Sequence, residues 1–370
     1  MADDTGCVAK APGAVRESFG QLSDGRRVEA ITLANGRGLA ACIISYGAAI
    51  QSLHAPDRDG HSADVALGYA SIDGYVAGTE YFGVTVGRVA NRIANGRFTL
   101  DGVSYQTPVN NGVNALHGGS VGFDKALWEV VDIRDGRSPG VTLRHVSPDG
   151  DQGYPGTLTV VATYWVDAET NMLSVEYRAT TDAPTVVNLT NHAYWNLQGE
   201  GSASGAMGHL LTIPAELYTP ADAGAVPTGE LRPVEGTPFD FRLPTPVGAR
   251  VRDASDEQIR FGKGYDHNWV VDRETSAHPR LVARVEEPVT GRVLEIHSNQ
   301  PGVQFYSGNF LDGSVAGKSG RLYRQGDALA LEPQMFPDTP NRPEFGSVRL
   351  DSGETYRNVI EFRFSTSSRR

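Results

Sequence analysis

The chain has 370 residues, room for two or three average domains, although all-β architectures often occupy such a length as one unit. Acidic residues outnumber basic ones, 44 to 33, for a net charge of −11, and no Lys/Arg block is present, so the basic footprint of a nucleic-acid binder is missing. Charged residues make up 21% and hydrophobic residues 39%, which excludes a disordered chain, and no apolar run reaches the roughly 18 residues of a membrane span.

Residues 1–20 lack a basic segment followed by an apolar one, so no secretory leader is expected. The cytoplasm is the expected location, or the periplasm if a leader has been removed. Cys7 and Cys42 are too few for a disulfide framework or a metal site of their own, and one bridge between them is left open. The 43 glycines and 21 prolines point to many turns. Asp24-Gly25, Asn35-Gly36, Asp59-Gly60, Asn95-Gly96, Asp101-Gly102, Asp135-Gly136 and Asp149-Gly150 supply the left-handed backbone of tight hairpins. Further along, apolar residues alternate with polar ones. Leu158, Val160, Ala162, Tyr164 and Val166 predict one strand, and Leu173, Val175, Tyr177 and Ala179 a second. The proline-rich stretch 214–246 reads as a long surface excursion of the kind that often walls a site. Near the end, Ile360, Phe362 and Phe364 predict a third strand. No stretch keeps helical periodicity for four turns, and no linker or repeat marks a boundary. The expected fold is all-β, with large antiparallel sheets packed face to face.

Several chemistries lack their signatures. There is no GxGxxG after a strand, no P-loop, no GxSxG and no HExxH, and the nine histidines form no short ligand cluster. No cofactor and no metal are therefore expected. Some segments nevertheless look unlike scaffolding: 87–93 (GRVANRI), 114–119 (NALHGG), 188–197 (NLTNHAYWNL), 264–269 (GYDHNW) and 329–334 (LALEPQ). Each residue in them keeps a plain alternative. His192 is either a hydrogen-bonded core histidine or a proton carrier among amides and aromatics. Glu332 closes an apolar run before a proline, as a surface group or as a base aimed into a cleft. Asp266 fits a simple turn, His117 precedes two glycines of a tight hairpin, and Arg92 fits a solvated strand. Trp195 and Trp269 read more readily as core anchors than as ligand platforms.

Taken together and in order, GRVANRI, NALHGG, TNHAYWNL, YDHNWV, GVQFYSGNFLDG and LEPQMFPDTPN closely resemble the aldose 1-epimerase (galactose mutarotase) family, from about Phe19 to Phe364. The resemblance implies a galactose mutarotase-like β-supersandwich as a single domain over 19–370, preceded by an extension, 1–18, in which disorder is left open. It implies His192 as general acid and Glu332 as general base. Asn91, Arg92, His117, Asp266 and Gln304 are implied as sugar-binding residues, with a free monosaccharide as the partner and a monomer or homodimer as the assembly.

Anomer exchange of a free aldose needs a base at the C1 hydroxyl and an acid at the ring oxygen, and it needs no redox group. For His192 to act as an acid at neutral pH, a nearby negative charge is expected to raise its pKa, from Glu332 or Asp266. Rival readings are an epimerase for a phosphorylated sugar, a catalytically silent sugar binder, and a polysaccharide lyase or hydrolase. The first needs extra cations, the second needs no proton carriers, and the third needs an open groove.

Overall fold

A computed structural model describes residues 11–368. Three antiparallel sheets carry the architecture. The largest runs in the order Glu129–Arg134, Gly140–Ser147, Leu158–Val166, Met172–Thr181, Tyr356–Thr366, Arg292–Ser298, Arg280–Glu286, Leu210–Thr212 and Thr245–Pro246. A five-stranded sheet follows chain order through Gly13–Gln21, Arg27–Ala34, Ala40–Ile44, Ala49–Pro56 and Ser62–Asp64. The third has six strands, ordered Tyr194–Trp195, Leu329–Gln334, Gly302–Tyr306, Asp266–Val270, Leu217–Thr219 and Arg232–Pro233. The two α-helices among the described residues have six residues each, and neither is long and apolar enough to cross a membrane.

Period-two patterning explains how these sheets pack. Leu158, Val160, Ala162, Tyr164 and Val166 are all fully buried, and they face Leu173, Val175, Tyr177 and Ala179 of the adjoining strand in the same core. Ile360, Phe362 and Phe364 join them from the C-terminal strand. Side chains of this size each contribute about 1.5–3 kcal/mol on burial. The five-stranded sheet adds Ile31, Leu33 and Ile43, and the six-stranded sheet adds Trp269, Phe305, Leu329 and Leu331. Trp195 and Trp269 are therefore core anchors. All seven Asp-Gly and Asn-Gly turns place their glycine at positive φ, which is the reason for that dipeptide.

Residues Gly13–Ser18, read as part of an extension, form an edge strand paired with Arg27–Ala34. Residues 1–10 of that extension, Cys7 included, lie outside the described residues, while Cys42 is buried in the five-stranded sheet.

The GRVANRI segment splits its two arginines between scaffold and cavity. Arg88 is buried, and its Nη1 donates to the carbonyls of Pro155 and Gly156 at 2.8 and 2.9 Å and to Thr185 Oγ1 at 3.2 Å. Its Nη2 donates to the Ser147 hydroxyl at 2.6 Å and to the Ser147 and Pro148 carbonyls at 3.2 and 3.3 Å. One side chain thus ties the segment that leads into Asn91 and Arg92 to both ends of the 148–157 connection and to the strand Thr185–Val186. Arg88→Met, which keeps much of the volume and strands those acceptors, is expected to cost about 3 kcal/mol or more. A urea midpoint unchanged from the parent would show that the web contributes little.

Candidate active site

Register brings the two proton carriers together. Tyr194 is the antiparallel partner of Ala330. Glu332 stands two residues after Ala330, and His192 two before Tyr194, just outside that pairing, where its N–H donates to the Val84 carbonyl and its carbonyl accepts from the Gly83 N–H. Their side chains meet accordingly, with His192 Nε2 3.6 Å from Glu332 Oε1. The row continues across the sheet, because Glu332 faces Gln304 and Gln304 faces Asn268. Along Leu329–Gln334, Leu329 and Leu331 enter the main core while Ala330 packs in a second cluster with Tyr194 and Tyr306. Glu332 shares the face of Ala330 and is only 2% exposed, so the surface reading of this carboxyl is excluded.

That face floors a cavity of about 550 Å³, within the usual range for small-molecule sites. Asn91, Arg92, His117, His192, Asp266 and Glu332 all line it. Gln304, the remaining residue expected to bind sugar, stands behind the wall, where its Nε2 donates to Asp266 Oδ1 at 2.8 Å. Arg92 Nη1 lies 3.6 Å from Asp266 Oδ2, and its Nε donates to Asn111 Oδ1 at 3.0 Å. Arg92 is thus buried and paired rather than solvated. The 214–246 excursion supplies one wall through residues 223–225.

His117 is held by its backbone neighbours. It has a left-handed φ of 51°, its N–H donates to the Asn91 carbonyl at 3.0 Å, and its Nδ1 accepts from the Asn91 N–H at 3.2 Å. A neutral imidazole whose Nδ1 accepts carries its proton on Nε2. The following Gly118 is needed for close approach: a Cβ there would stand 1.9 Å from the Gly87 carbonyl oxygen. One nitrogen each from His117 and His192 and one Glu332 oxygen lie within 4.8 Å of one another, a spacing compatible with a divalent metal. The Nε2–H of His117 suits a hydroxyl oxygen better than a metal ion.

Sequence reasoning missed Tyr81. At a left-handed φ of 60°, it sets its ring 4.7 Å from that of His117 and 5.7 Å from that of His192. No periodicity or motif signals this residue, whose importance comes from tertiary packing alone.

The family comparison follows from this geometry. The family model described as aldose 1-epimerase matches residues 29–363. The chain belongs to the aldose 1-epimerase family. It is 45% identical over 353 residues to the galactose mutarotase of Rattus norvegicus, covering 95% of this chain and 98% of that protein. Identity to the Escherichia coli aldose 1-epimerase is 37% over 343 residues, covering 92% and 96%. Among solved structures, an aldose epimerase homologue from C. elegans aligns with a TM-score of 0.83 at 34% identity, covering 92% of this chain and 99% of that one. The galactose 1-epimerase of Lactobacillus acidophilus aligns at 0.84 and 28%, covering 96% and 99%. The all-β, galactose mutarotase-like fold expected from the sequence is the observed one.

In this aldose 1-epimerase family member, burial overturns the expected charge state of the pair. It drives the His192 pKa down to about 4, with Asp266 opposing only weakly. His117 falls well below the usual histidine value for the same reason, aided by His192 and Arg92. Burial lifts Glu332 well above the usual carboxylate range, and Asp266 adds to it while Arg92 opposes. Burial thus favours the neutral form of each partner and works against the ion pair anticipated from free pKa values.

Two more histidines, His209 and His267, are also buried and lowered to about 4. His209 Nε2 accepts from the Leu197 N–H at 2.9 Å, a bond that protonation breaks. Unfolding restores each histidine to about 6.5, so between pH 6.5 and 4 the unfolded chain binds more protons than the native one. Stability is fully present above pH 6.5 and is lost as pH falls toward 4, by up to roughly 3 kcal/mol per histidine. Glu332 acts in the opposite sense, losing stability as pH rises through its raised pKa. Urea midpoints at pH 7 and pH 5 should show the loss, and His209→Gln should flatten the slope by about one proton. A midpoint higher at pH 5 than at pH 7 contradicts this reading.

Proposed function

We infer that the chain is an isomerase of the aldose 1-epimerase type, interconverting the α and β anomers of free aldoses such as galactose and glucose. The observation that carries this reading is the 3.6 Å approach of His192 to Glu332 on the floor of a sugar-sized cavity. His192 serves as the general acid and Glu332 as the general base.

Sugar hydroxyls donating to Glu332 replace the water it lost on burial and favour its carboxylate. The proton it releases passes to His192. Glu332 then takes the proton of the C1 hydroxyl as the C1–O5 bond breaks, and His192 delivers its proton to O5. The open aldehyde turns about C1–C2, and closure runs the same transfers backward with the roles exchanged. Each proton carrier returns to its starting state, so no cofactor has to be regenerated. Acid and base assistance are typically worth about 10²–10⁴-fold each. Arg92, His117, Asn91 and Asp266 hold the hydroxyls and keep C1 between the two groups. Gln304 acts through Asp266, by fixing its carboxylate.

A phosphorylated substrate is disfavoured by charge. Arg92 is the cavity's one lysine or arginine among the described residues, it is already paired with Asp266, and Glu80 and Glu332 share the walls.

Glu332→Gln should lower turnover about 10³-fold and leave KM within a few-fold. Polarimetry on freshly dissolved α-D-galactose is the measurement, and a variant that retains full activity defeats the assignment. Activity should also follow a bell-shaped pH profile, because the pair works only with one proton between its two sites. A rate flat from about pH 4 to 9 would argue against it.

A further inference from the structure

Beneath the acid–base pair, the same sheet face carries polar side chains that the reaction leaves unused. Asn268, Gln304 and Glu332 are successive cross-strand neighbours, and Gln334 follows Glu332 on the same face, opposite Gly302. All four are buried, Gln334 completely. Six of their polar atoms have no hydrogen-bond partner among the described residues: both amide atoms of Asn268 and of Gln334, Oε1 of Gln304, and Oε2 of Glu332. A cross-strand row is a poor place for this to be accidental. An unpaired buried polar atom costs about 1–3 kcal/mol, so six together would rival the roughly 5–15 kcal/mol that keeps a protein folded.

Protein interiors satisfy such groups with ordered water, typically through about three hydrogen bonds per molecule. The backbone is shaped to bring these amides together. Gly302 has no side chain, and Asn268 leans over it: a Cβ at Gly302 would stand 2.3 Å from Asn268 Oδ1. That brings the Asn268 amide across the middle strand, toward the strand of Gln334.

We propose that Asn268 and Gln334 are positioning residues that hold buried water against the inner oxygen of Glu332, fixing the orientation of the base. Oε1 lies 3.6 Å from His192 Nε2, and Oε2 is the inner oxygen, buried and without a hydrogen-bond partner among the described residues. The proposal rests on Glu332 being the base. Water donating to Oε2 stabilises the carboxylate and so opposes the burial that keeps Glu332 protonated. The other charged or titratable groups facing Glu332 are His192, His117, Arg92, Asp266, Tyr194 and Tyr306, all of which the test leaves in place.

Gln334→Leu and Asn268→Leu remove the amides at nearly constant volume, and neither residue lines the cavity. In the full-length enzyme, each variant should lose about 10- to 100-fold in kcat on galactose while KM stays within about twofold. The limb of the pH profile set by Glu332 should move to higher pH, because a drier floor disfavours the carboxylate. A residue that only supports the fold would lower the urea midpoint and leave the pH limb where it is. A crystal structure of the parent, at a resolution that shows water, should reveal molecules touching Glu332 Oε2 together with Gln334 and Asn268. Amides bonded directly to one another with Oε2 dry would overturn the proposal, as would variants whose kcat and pH profile match the parent. If neither variant folds, the water structure of the parent decides. Full turnover by Glu332→Gln would instead remove the base assignment and leave the water site standing.

Discussion

One short ladder sets the chemistry. The pairing of Tyr194–Trp195 with Leu329–Ala330, and the backbone bonds of His192 to Gly83 and Val84, bring His192 and Glu332 together, although they are far apart in the chain. No loop has to fold over to unite them, and no flexible arm has to find its partner. The geometry is held by backbone hydrogen bonds, and by Trp195, Leu329 and Leu331 packed in the main core on the other side of the same strands. Catalytic geometry and core packing are therefore two faces of the same elements, consistent with sites on rigid elements being better defined than sites on loops.

Burial gives that ladder its chemical character. Both members of the pair are all but removed from water, and each alone favours its neutral form. Arg92 and Asp266, 3.6 Å apart, act on Glu332 in opposite senses. The result is a proton with two nearby homes and a position open to influence by a bound sugar. A solvated glutamate would stay ionised at neutral pH whatever the ligand, whereas a dry pair is poised to respond to a ligand's hydroxyls.

Much of the architecture was legible in local pattern. Leu158–Val166 alternates so cleanly that strand and buried face follow from the residue types, and each Asp-Gly or Asn-Gly turn sits where positive φ is required. Six of the seven residues implied by family resemblance line one cavity. Long-range effects were not legible. Nothing local separates Arg88, which ties loops together, from Arg92, which lines the cavity four residues later. Nothing local shows that Gln304, implied as a sugar ligand, turns its Nε2 to Asp266 Oδ1. Tyr81 has no motif because its role is to touch two imidazoles brought in from elsewhere. The fall in the His192 pKa was not legible, because free-residue values contain no desolvation.

The alternation along Leu329–Gln334 has a consequence for how this protein can fail. Sliding that strand by a single residue would turn Glu332 into the hydrophobic interior and push Leu331 out toward the sugar. A misaligned sheet is thus not a slightly impaired enzyme but an inactive one that also carries an uncompensated acid in its core. Loss of function and loss of stability are coupled in such an error, so a slipped conformer has little chance of persisting as a soluble, long-lived decoy.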